Sequence, residues 1–390
     1  MQSNIWKFYI LSIVYNALFM IPVIVLFFQE NGLTLHQIFL LQSIFSLALM
    51  IFEIPTGYLS DRWGRKNTIV SGSIFGVIGI VVYACSSGFW GFFTAEILLA
   101  LLVSFHSGTK DAMLYDTLLE INRAGEYLKI TGQKRFLGFT SEAIASILGG
   151  LLATLSLRIT IWAELIPFGI GFFIALSLKE PVRHKLQEKQ HLKAMWNITI
   201  SSLCHNVPLR SIDILTSVLS SLTLTLMWFT QPYQIIVGLP ITLFGFTHAG
   251  IMMATGFASK CTHSIGKRID NRAFLFLISV AVIGSYLYVG MVMSLWGIVF
   301  LLAGRSMFGF FGPITSNMIN KMATSDIRAT VLSLQSFGER FLFGAISPLV
   351  GYMADVYTPN LAILMTGIAG GIALVVIFLM VSNTWSLVPD

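Results

Sequence analysis

The chain has 390 residues, of which 55% are hydrophobic and only 11% carry a charge. Soluble domains carry a charge on about a quarter of their residues, so this composition excludes an ordinary soluble protein and predicts an all-α integral membrane protein. The formal net charge of +6 requires no nucleic-acid partner, because Lys and Arg are enriched in the cytoplasmic loops of membrane proteins.

Charge-free runs predict the number of membrane spans. Residues 8–29 carry no formal charge and have the length of one spanning helix. Residues 214–259 also carry none and are long enough for two helices, with Pro232 and Pro240 supplying the turn. The same reasoning along the chain predicts twelve transmembrane helices, at residues 6–28, 35–60, 68–86, 89–114, 131–155, 159–179, 211–233, 240–262, 273–293, 295–319, 330–352 and 359–382.

The loop charges predict the orientation. The first apolar run is too long for the core of a cleaved signal peptide and is expected to remain as a span. All but three of the 24 Lys and Arg residues fall on one side of the twelve helices; the exceptions are Arg158, Arg305 and Arg340. The positive-inside rule therefore predicts a multi-pass membrane protein with both termini in the cytoplasm.

A charged segment divides the spans into two groups of six. We predict a first half at residues 1–180, a cytoplasmic linker at 181–208 and a second half at 209–390. The apolar positions of the linker are spaced as in an amphipathic helix at the membrane surface. These positions are Leu186, Leu192, Met195, Trp196, Ile200 and Leu203.

Cofactor and enzyme motifs are absent from the sequence. The three cysteines show no paired spacing, and the two Cys-His pairs, Cys204-His205 and Cys261-x-His263, lack a repeated zinc-ligand motif. No nucleophile elbow, HExxH motif or phosphate-binding loop occurs. We therefore predict no metal, no cofactor and no enzymatic activity.

The predicted turn between the second and third spans carries a dense group of charges. It lies in the stretch FEIPTGYLSDRWGRKNT, residues 52–68. Its two glycines permit tight packing and turning, its basic residues suit the cytoplasmic side, and its acid at a helix end is expected to have a partner. These residues are Gly57, Asp61, Arg62, Gly64, Arg65 and Lys66.

The segment GYLSDRWGRK closely resembles the G-x-L-a-D-r-x-G-r-k signature of the major facilitator superfamily. Residues 256–268, GFASKCTHSIGKR, are similar to a degenerate second copy with Lys260 in place of the acid. The resemblance implies two pseudo-symmetric six-helix halves and transport by alternating access. It also implies a conformational latch in which Asp61 is the acid and Arg62, Arg65 and Lys66 are its basic neighbours; the alternative is that these basic residues only set the topology.

Ionisable residues within spans are costly and therefore indicate function. Those of the first half are acidic: Glu53, Glu96, Asp111, Asp116, Glu142 and Glu164. Glu96 and Glu142 lie deepest and are the main candidates for proton coupling, and Asp111, Asp116 and Glu53 are further candidates. The alternative for the two deep acids is a static ion pair or a wet lumenal residue. Asp111 and Asp116 could pair with Arg123, Lys129 or Arg135, so a gate or a solvated end stands beside contact with substrate. Glu53 is expected to pair near the latch, and Glu164 to lie near the outer surface.

The second half contributes charges of both signs. Arg305, Glu339 and Arg340 fall within the tenth and eleventh spans. Because neighbouring helix residues do not face each other, Arg305 is expected to pair with Glu339. Arg340 would then meet substrate, an acid of the first half or a carbonyl group; alternatively, all three form one structural network. Pro313 is expected to bend the tenth span. Further candidates for contact with substrate are Tyr15, Asn16, Gln42 and Asn317.

The antiporter motifs of the superfamily are only partly present. Glu96 stands where many drug antiporters have Arg, and SEAIASILGG replaces their glycine- and proline-rich fifth-span motif, although small residues recur at every fourth position. Three stretches together, FEIPTGYLSDRWGRK, SGTKDAMLYDTL and RATVLSLQSFGER, resemble a bacterial, efflux-like branch of the superfamily. The resemblance implies a monomeric, proton-coupled exporter of a small organic solute in the lipid bilayer of the bacterial cytoplasmic (inner) membrane. The alternatives are a proton-coupled importer of an organic anion such as a carboxylate or siderophore, which Arg305 and Arg340 favour, and a sensor that binds ligand without transporting it.

Overall fold

The computed structural model describes residues 1–182, 207–266, 268–322 and 328–381. Within these ranges the chain forms fifteen α-helices. The first eight are α1 (Ser3–Tyr15), α2 (Ile24–Glu30), α3 (Leu35–Trp63), α4 (Arg65–Cys85), α5 (Phe89–His106), α6 (Thr109–Glu120), α7 (Tyr127–Ala153) and α8 (Leu157–Ser177). The others are α9 (Val207–Ile236), α10 (Phe244–Gly266), α11 (Asn271–Met291), α12 (Trp296–Ser306), α13 (Phe308–Met322), α14 (Arg328–Val356) and α15 (Pro359–Val381).

Each of the twelve predicted spans corresponds to one helix or to one broken helix. Within the described ranges, ten helical segments are long and apolar enough to cross a bilayer. The interrupted pair α1 and α2, and the helix α14, account for the two remaining predicted spans. The all-α membrane architecture expected from the composition is confirmed.

The first span is broken, so the prediction of one continuous helix at 6–28 is wrong. Helix α1 ends at Tyr15, and a short 3₁₀ segment, Ile21–Val23, precedes α2. Pro22 lies at the start of this segment and has no N–H to donate. The backbone N–H of Met20 donates instead to Glu164 Oε1, at 2.9 Å. A carboxyl group from another helix therefore satisfies a backbone group that the break leaves open.

Two other spans are also broken. The fourth divides into α5 and α6 at Gly108, whose φ of 67° lies in the region that favours glycine, and α6 extends to Glu120. The tenth divides into α12 and α13 at Met307. Pro313, predicted to bend this span, lies within α13. Beside the break, a Cβ on Gly309 would lie 2.2 Å from the Thr255 carbonyl oxygen, so the chain there packs directly on another backbone.

The described residues group into two compact units. The first contains the described residues up to 182 together with Leu239–Met253, and the second contains the remainder. These units differ from the predicted halves at Leu239–Met253, which the sequence assigns to the second half. The physical reason is close packing at Gly245, where a Cβ would lie 2.1 Å from the Ser146 carbonyl oxygen. The start of α10 therefore packs against the backbone of α7.

In the first unit, α4 packs against α5 and α8, and α1 packs against α7 and α8. A cluster of buried apolar side chains joins α1, α4, α6, α7 and α8 near the α3–α4 turn. A second group of aromatic rings packs near the α4–α5 turn. The first cluster contains Phe8, Leu11, Ile69, Met113, Leu114, Leu118, Ile130, Ala175 and Leu178, and the second contains Phe27, Phe28, Tyr83 and Phe92.

In the second unit, α9 packs against α14 and α15, and α11 packs against α12 and α15. Buried tyrosines tie these helices together through backbone carbonyl groups. The Tyr286 hydroxyl donates to the Leu222 carbonyl at 2.7 Å, and the Tyr233 hydroxyl donates to the Val292 carbonyl at 2.8 Å. The predicted amphipathic linker helix, together with Cys204 and His205, lies outside the described residues.

Candidate functional site

The turn between α3 and α4 contains the signature residues. Gly64 adopts a φ of 108° and is buried, which confirms the predicted need for glycine at this turn. Gly57 does not confirm the predicted tight packing, because a Cβ there would meet nothing within 4 Å among the described residues. Asp61 and Arg62 are exposed on the last turn of α3, and the Arg62 guanidinium donates to the Tyr58 hydroxyl at 3.3 Å.

Arg65 and Lys66 form the first turn of α4 and meet two acids. The Arg65 guanidinium pairs with Asp116 on α6. The backbone N–H groups of Arg65 and Lys66 donate to the two carboxylate oxygens of Glu180, at 2.9 and 2.6 Å. A carboxylate is well placed there because the first N–H groups of a helix lack intrahelical partners and carry a partial positive charge. Sequence reasoning missed Glu180, although the helix start after Gly64 required such an acceptor.

The predicted partners of the two α6 acids were wrong. Asp116 pairs with Arg65, and Asp111 pairs with Lys134 on α7. Arg123, one of the predicted partners, instead pairs with Glu126. Spacing along the chain could not identify these pairs, because they depend on how α4 and α7 pack against α6. Both pairs link separate helices within the first unit.

Glu53 and Glu96 accept hydrogen bonds from uncharged groups. The Ser107 hydroxyl donates to Glu53 at 2.8 Å, beside the break between α5 and α6. Glu96 is 5% exposed, and its Oε1 accepts from Gln42 Nε2 at 2.9 Å and from the Tyr83 hydroxyl at 3.0 Å. The structure thus joins Glu96 and Gln42, a predicted proton carrier and a predicted substrate residue, in one buried group.

Glu142 contacts a residue that sequence reasoning missed. Its Oε1 lies 3.2 Å from Nε2 of His248 on α10, and both side chains are largely buried. The contact lies beside the close approach of α7 and α10, where a Cβ on Gly150 would lie 2.8 Å from the Gly245 nitrogen. The small residues of α7 indicated close packing; nothing in the sequence indicated that His248 would be the neighbour of Glu142.

Arg158 and Glu164, both on α8, bind backbone groups. The Arg158 guanidinium donates to the Ala84 and Ser86 carbonyls and, at 2.7 Å, to Asn31 Oδ1. Glu164 is fully buried, and its Oε1 accepts from the Met20 N–H at the break after α1, which gives it a structural role. Its expected place near the outer surface stays a prediction. These contacts give Arg158, which lies outside the basic loops, a structural role in binding the α4–α5 turn.

A cavity of about 230 Å³ lies among α1, α6 and α7 of the first unit. Three cationic side chains line it, Lys110, Lys134 and Arg135, together with the predicted substrate residue Asn16. The Lys110 ammonium lies 5.2 Å from the ring centroid of Tyr15, whose hydroxyl donates to Ser73 at 2.7 Å. Sequence reasoning assigned these cations to the basic loops and did not anticipate that they share a cavity.

The candidates of the second unit lie on α12, α13 and α14. Gln335 Nε2 donates to Glu339 Oε1 at 3.1 Å. Beside Glu339, a Cβ on Gly338 would lie 3.5 Å from an Asp213 carboxylate oxygen, so two acids lie in one region. Arg305 and Arg340 are half-buried, and Asn317 is exposed. The predicted Arg305–Glu339 pair stays a prediction. Within the part of the chain that the structure describes, no three His, Cys, Asp or Glu side chains are placed to hold a metal ion.

These features define a multi-pass helical membrane protein with interhelical charges in its first unit, and comparisons with known proteins identify its family. The family model described as Major Facilitator Superfamily matches residues 8–341. The chain belongs to this family, and it is a transporter and not an enzyme.

Two curated relatives are transporters. The chain is 25% identical over 356 residues to an uncharacterized MFS-type transporter, MJ1560, of Methanocaldococcus jannaschii, covering 87% of each protein. It is 30% identical over 138 residues to the inner membrane transport protein YajR of Escherichia coli, covering 30% of this chain and 28% of the relative.

Solved structures share the fold. The nucleoside transporter NupG matches with a TM-score of 0.80 at 14% identity, covering 96% of this chain and 98% of that one. A D-xylose-proton symporter matches with a TM-score of 0.75 at 13% identity, covering 99% of this chain and 97% of that one. Together with the sequence pattern, these matches establish an MFS fold.

Proposed function

We propose that this protein is a proton-coupled secondary transporter that moves a small organic solute by alternating access. The observation that carries the proposal is the Glu142–His248 contact, 3.2 Å long and largely buried. Both groups can exchange protons, and histidine is the side chain whose charge ordinarily changes between about pH 5 and 8. Two such groups on different helices make a contact whose strength depends on bound protons.

The position of the contact supports a coupling role. His248 lies three residues after Gly245, at which α10 packs against the α7 backbone. A charge change at Glu142 or His248 therefore acts beside the tightest contact between these two helices. A carrier needs such a link, because protonation drives transport only if it has a different free energy in two conformations.

Export is the direction that the sequence resemblance favours. Import of an organic anion is the second candidate, and the observation that favours it is the set of three cations lining the cavity. A proton that travels with an anion offsets its charge, so symport would suit uptake across a membrane that is negative inside. We place the protein as a monomer in the cytoplasmic membrane with both termini in the cytoplasm.

The signature turn is proposed to act as a conformational latch with Asp61 as its acid. Arg65 supports this role because its guanidinium pairs with Asp116 on a neighbouring helix and its N–H binds Glu180. Asp61→Asn should reduce the rate of flux and leave substrate affinity within about threefold, less than one hydrogen bond's worth. Equal loss of both would contradict the latch.

The proposed function is tested in proteoliposomes of known orientation that contain a pH-sensitive dye. Phenylacetate and the lipophilic cation tetraphenylphosphonium are added separately, and the internal pH and solute uptake are recorded. In the parent protein, one of the two solutes should move protons. Glu142→Gln and His248→Gln should abolish solute-driven proton movement and retain solute exchange at equal pH on both sides.

The matched controls are Glu30→Gln, on the exposed end of α2, and His36→Gln, in the first turn of α3. Both controls should behave like the parent. Proton movement opposite to the solute indicates export, and movement with it indicates import. Normal proton movement in both Glu142→Gln and His248→Gln would refute the coupling role, and ligand binding without any flux would indicate a sensor.

A further inference from the structure

The cavity among α1, α6 and α7 has an excess of positive charge. Its cations are Lys110, Lys134 and Arg135, and the lining residues include no Asp or Glu. Asp111, outside the lining, pairs with Lys134, so the charges of Lys110 and Arg135 are in excess in the cavity wall. The cavity lies wholly within the first unit.

Lys110 is the cation best placed to receive a negative charge. Its ammonium makes no hydrogen bond or ion pair among residues 1–182, 207–266, 268–322 and 328–381, and its described contact is the face of the Tyr15 ring, 5.2 Å from the centroid. An ammonium is normally strongly hydrated, so a half-buried one without an acceptor is unusual. The Tyr15 ring, held by the bond to Ser73, fixes its position.

The remaining walls of the cavity combine amide and apolar surface. The Asn16 amide donates to the Ser12 carbonyl at 2.7 Å, which fixes the orientation of Asn16 in the wall. Phe8, Leu11 and Phe139 supply apolar surface. Gly138 faces Asn16 closely, and a Cβ there would lie 3.0 Å from the Asn16 side-chain nitrogen. A site of this kind suits a ligand with one charged end and an apolar body.

We propose that this cavity binds the carboxylate end of a small organic anion with an apolar body, and that the Lys110 ammonium is its charged partner. The proposal rests on the proposed transport function, because it names the substrate class of that transporter. The volume of about 230 Å³ is below the roughly 300 Å³ at which drug-sized pockets begin. The cavity therefore fits the charged end and a short body, such as one ring.

An anionic lipid headgroup presents the same chemistry to Lys110 and Arg135. The two possible ligands, a soluble organic anion and an anionic lipid headgroup, can be distinguished by lipid composition. A soluble anion binds in a bilayer of neutral lipids, whereas headgroup binding requires anionic lipid. Binding should therefore be measured in nanodiscs of phosphatidylcholine alone and in nanodiscs that also contain phosphatidylglycerol.

The test compares three ligands that share one body and differ in charge: phenylacetate, the neutral phenylacetamide and the cationic phenethylamine. Their binding to the full-length protein is measured by equilibrium dialysis. Phenylacetate should bind at least about tenfold more tightly than the other two, which is the effect expected of one charge-assisted hydrogen bond. Lys110→Met, which keeps an unbranched apolar chain, should weaken phenylacetate about tenfold and leave phenylacetamide unchanged.

Two variants serve as controls. Lys110→Arg keeps the charge and should bind phenylacetate within about threefold of the parent, less than the effect of losing one charged bond. Lys129→Gln removes an exposed cation from the first turn of α7, outside the cavity, and should bind like the parent. Tryptophan fluorescence of each variant in the nanodiscs monitors whether it is folded.

Three results would overturn the proposal. These are equal binding of phenylacetate and phenylacetamide, parental phenylacetate affinity in Lys110→Met, and no phenylacetate binding at millimolar concentration. Competition by phosphatidylglycerol that removes all phenylacetate binding would assign the site to lipid instead. Because the test measures binding, proton coupling can fail in the proteoliposome experiment while the anion site stands, and the reverse outcome is equally visible.

Discussion

The two ends of the first unit compensate their charges differently. At the end with the α3–α4 turn, side-chain charges meet one another across helices: Arg65 pairs with Asp116, and Lys134 pairs with Asp111. Glu180 is the exception at this end, because its carboxylate accepts from two backbone N–H groups. At the end with the α4–α5 turn, Arg158 donates to the Ala84 and Ser86 carbonyls. Glu164, on the same helix as Arg158, accepts from a backbone N–H.

This difference indicates which end is built to change. A backbone group stays in place while its helix persists, so a charge that binds it acts as a fixed connection. An ion pair between side chains on separate helices can exchange partners when those helices move. We therefore expect substitutions of the charges that bind backbone groups, Arg158, Glu164 and Glu180, to affect mainly stability. Substitutions of the paired charges at the α3–α4 end should affect mainly transport.

Among the substitutions at these two ends, Arg158→Ala should cause the largest loss of stability. It removes three hydrogen bonds and the contact with the Phe27 ring, 5.2 Å from the guanidinium. Hydrogen bonds to charged groups contribute about 1.5–3 kcal/mol each. Because Arg158 is only half-buried, we expect a total loss of about 3 kcal/mol, at the low end of that range for three bonds. Chemical denaturation in detergent micelles measures it. Arg158→Lys should lose less, and Arg62→Ala, exposed at the other end, should change stability little. An equal effect of Arg62→Ala would remove the distinction between the ends.

A smaller effect is expected for the Arg65–Asp116 pair. Arg65→Gln and Asp116→Asn should each lower the free energy of unfolding by about 1–2 kcal/mol, because each leaves a largely buried charge without its partner. The double variant should be no less stable than either single variant. A double-mutant cycle measures this coupling. Independent, additive losses would show that the pair does not act as a unit, and undiminished flux in all three variants would contradict a role in transport.

Glu180→Gln should lower the free energy of unfolding by about 1 kcal/mol. Each carboxylate oxygen of Glu180 accepts one N–H at the start of α4, and an amide side chain has one acceptor oxygen and no charge to oppose the partial positive charge of the helix end. Denaturation in detergent again gives the value. The matched control is Glu30→Gln on the exposed end of α2. A loss no larger than that of the control would show that Glu180 does not stabilise the helix start.

The sequence predicts the helices of this protein better than their interruptions. Hydropathy and charge gave the twelve spans, because a membrane helix needs a long apolar segment. The breaks after Tyr15, at Gly108 and at Met307 fall inside predicted spans. They depend on partners from other helices, such as Glu164, and a single sequence does not show which helices are neighbours.

The same limit applies to the candidate site. Glu96 and Glu142 were identified because an acid in an apolar span is costly. Their neighbour Tyr83 was not, since tyrosine is ordinary in such segments. His248 lies in a predicted span, and the same rule on ionisable residues could have identified it. The basic residues Lys110 and Lys134 were assigned to topology, because the positive-inside rule explains any cation near a span end. Only the packing of α1, α6 and α7 shows that they line a cavity.

The smallest expected change in stability belongs to a residue between the two ends. In the parent protein, Gln42 and Tyr83 both donate to the same oxygen, Glu96 Oε1. The amide oxygen of Glu96→Gln can therefore still accept from both groups. We expect a loss below about 1 kcal/mol, within the net value of one neutral hydrogen bond. Glu96→Leu is the contrast, since it leaves both buried donors without an acceptor, at about 1–3 kcal/mol each.

Denaturation of both variants in detergent, followed by proton flux for Glu96→Gln, separates the two roles of the carboxyl group. Preserved stability with lost proton movement would make Glu96 a second proton carrier beside Glu142. Preserved flux would leave it as a hydrogen-bond acceptor that joins α3, α4 and α5.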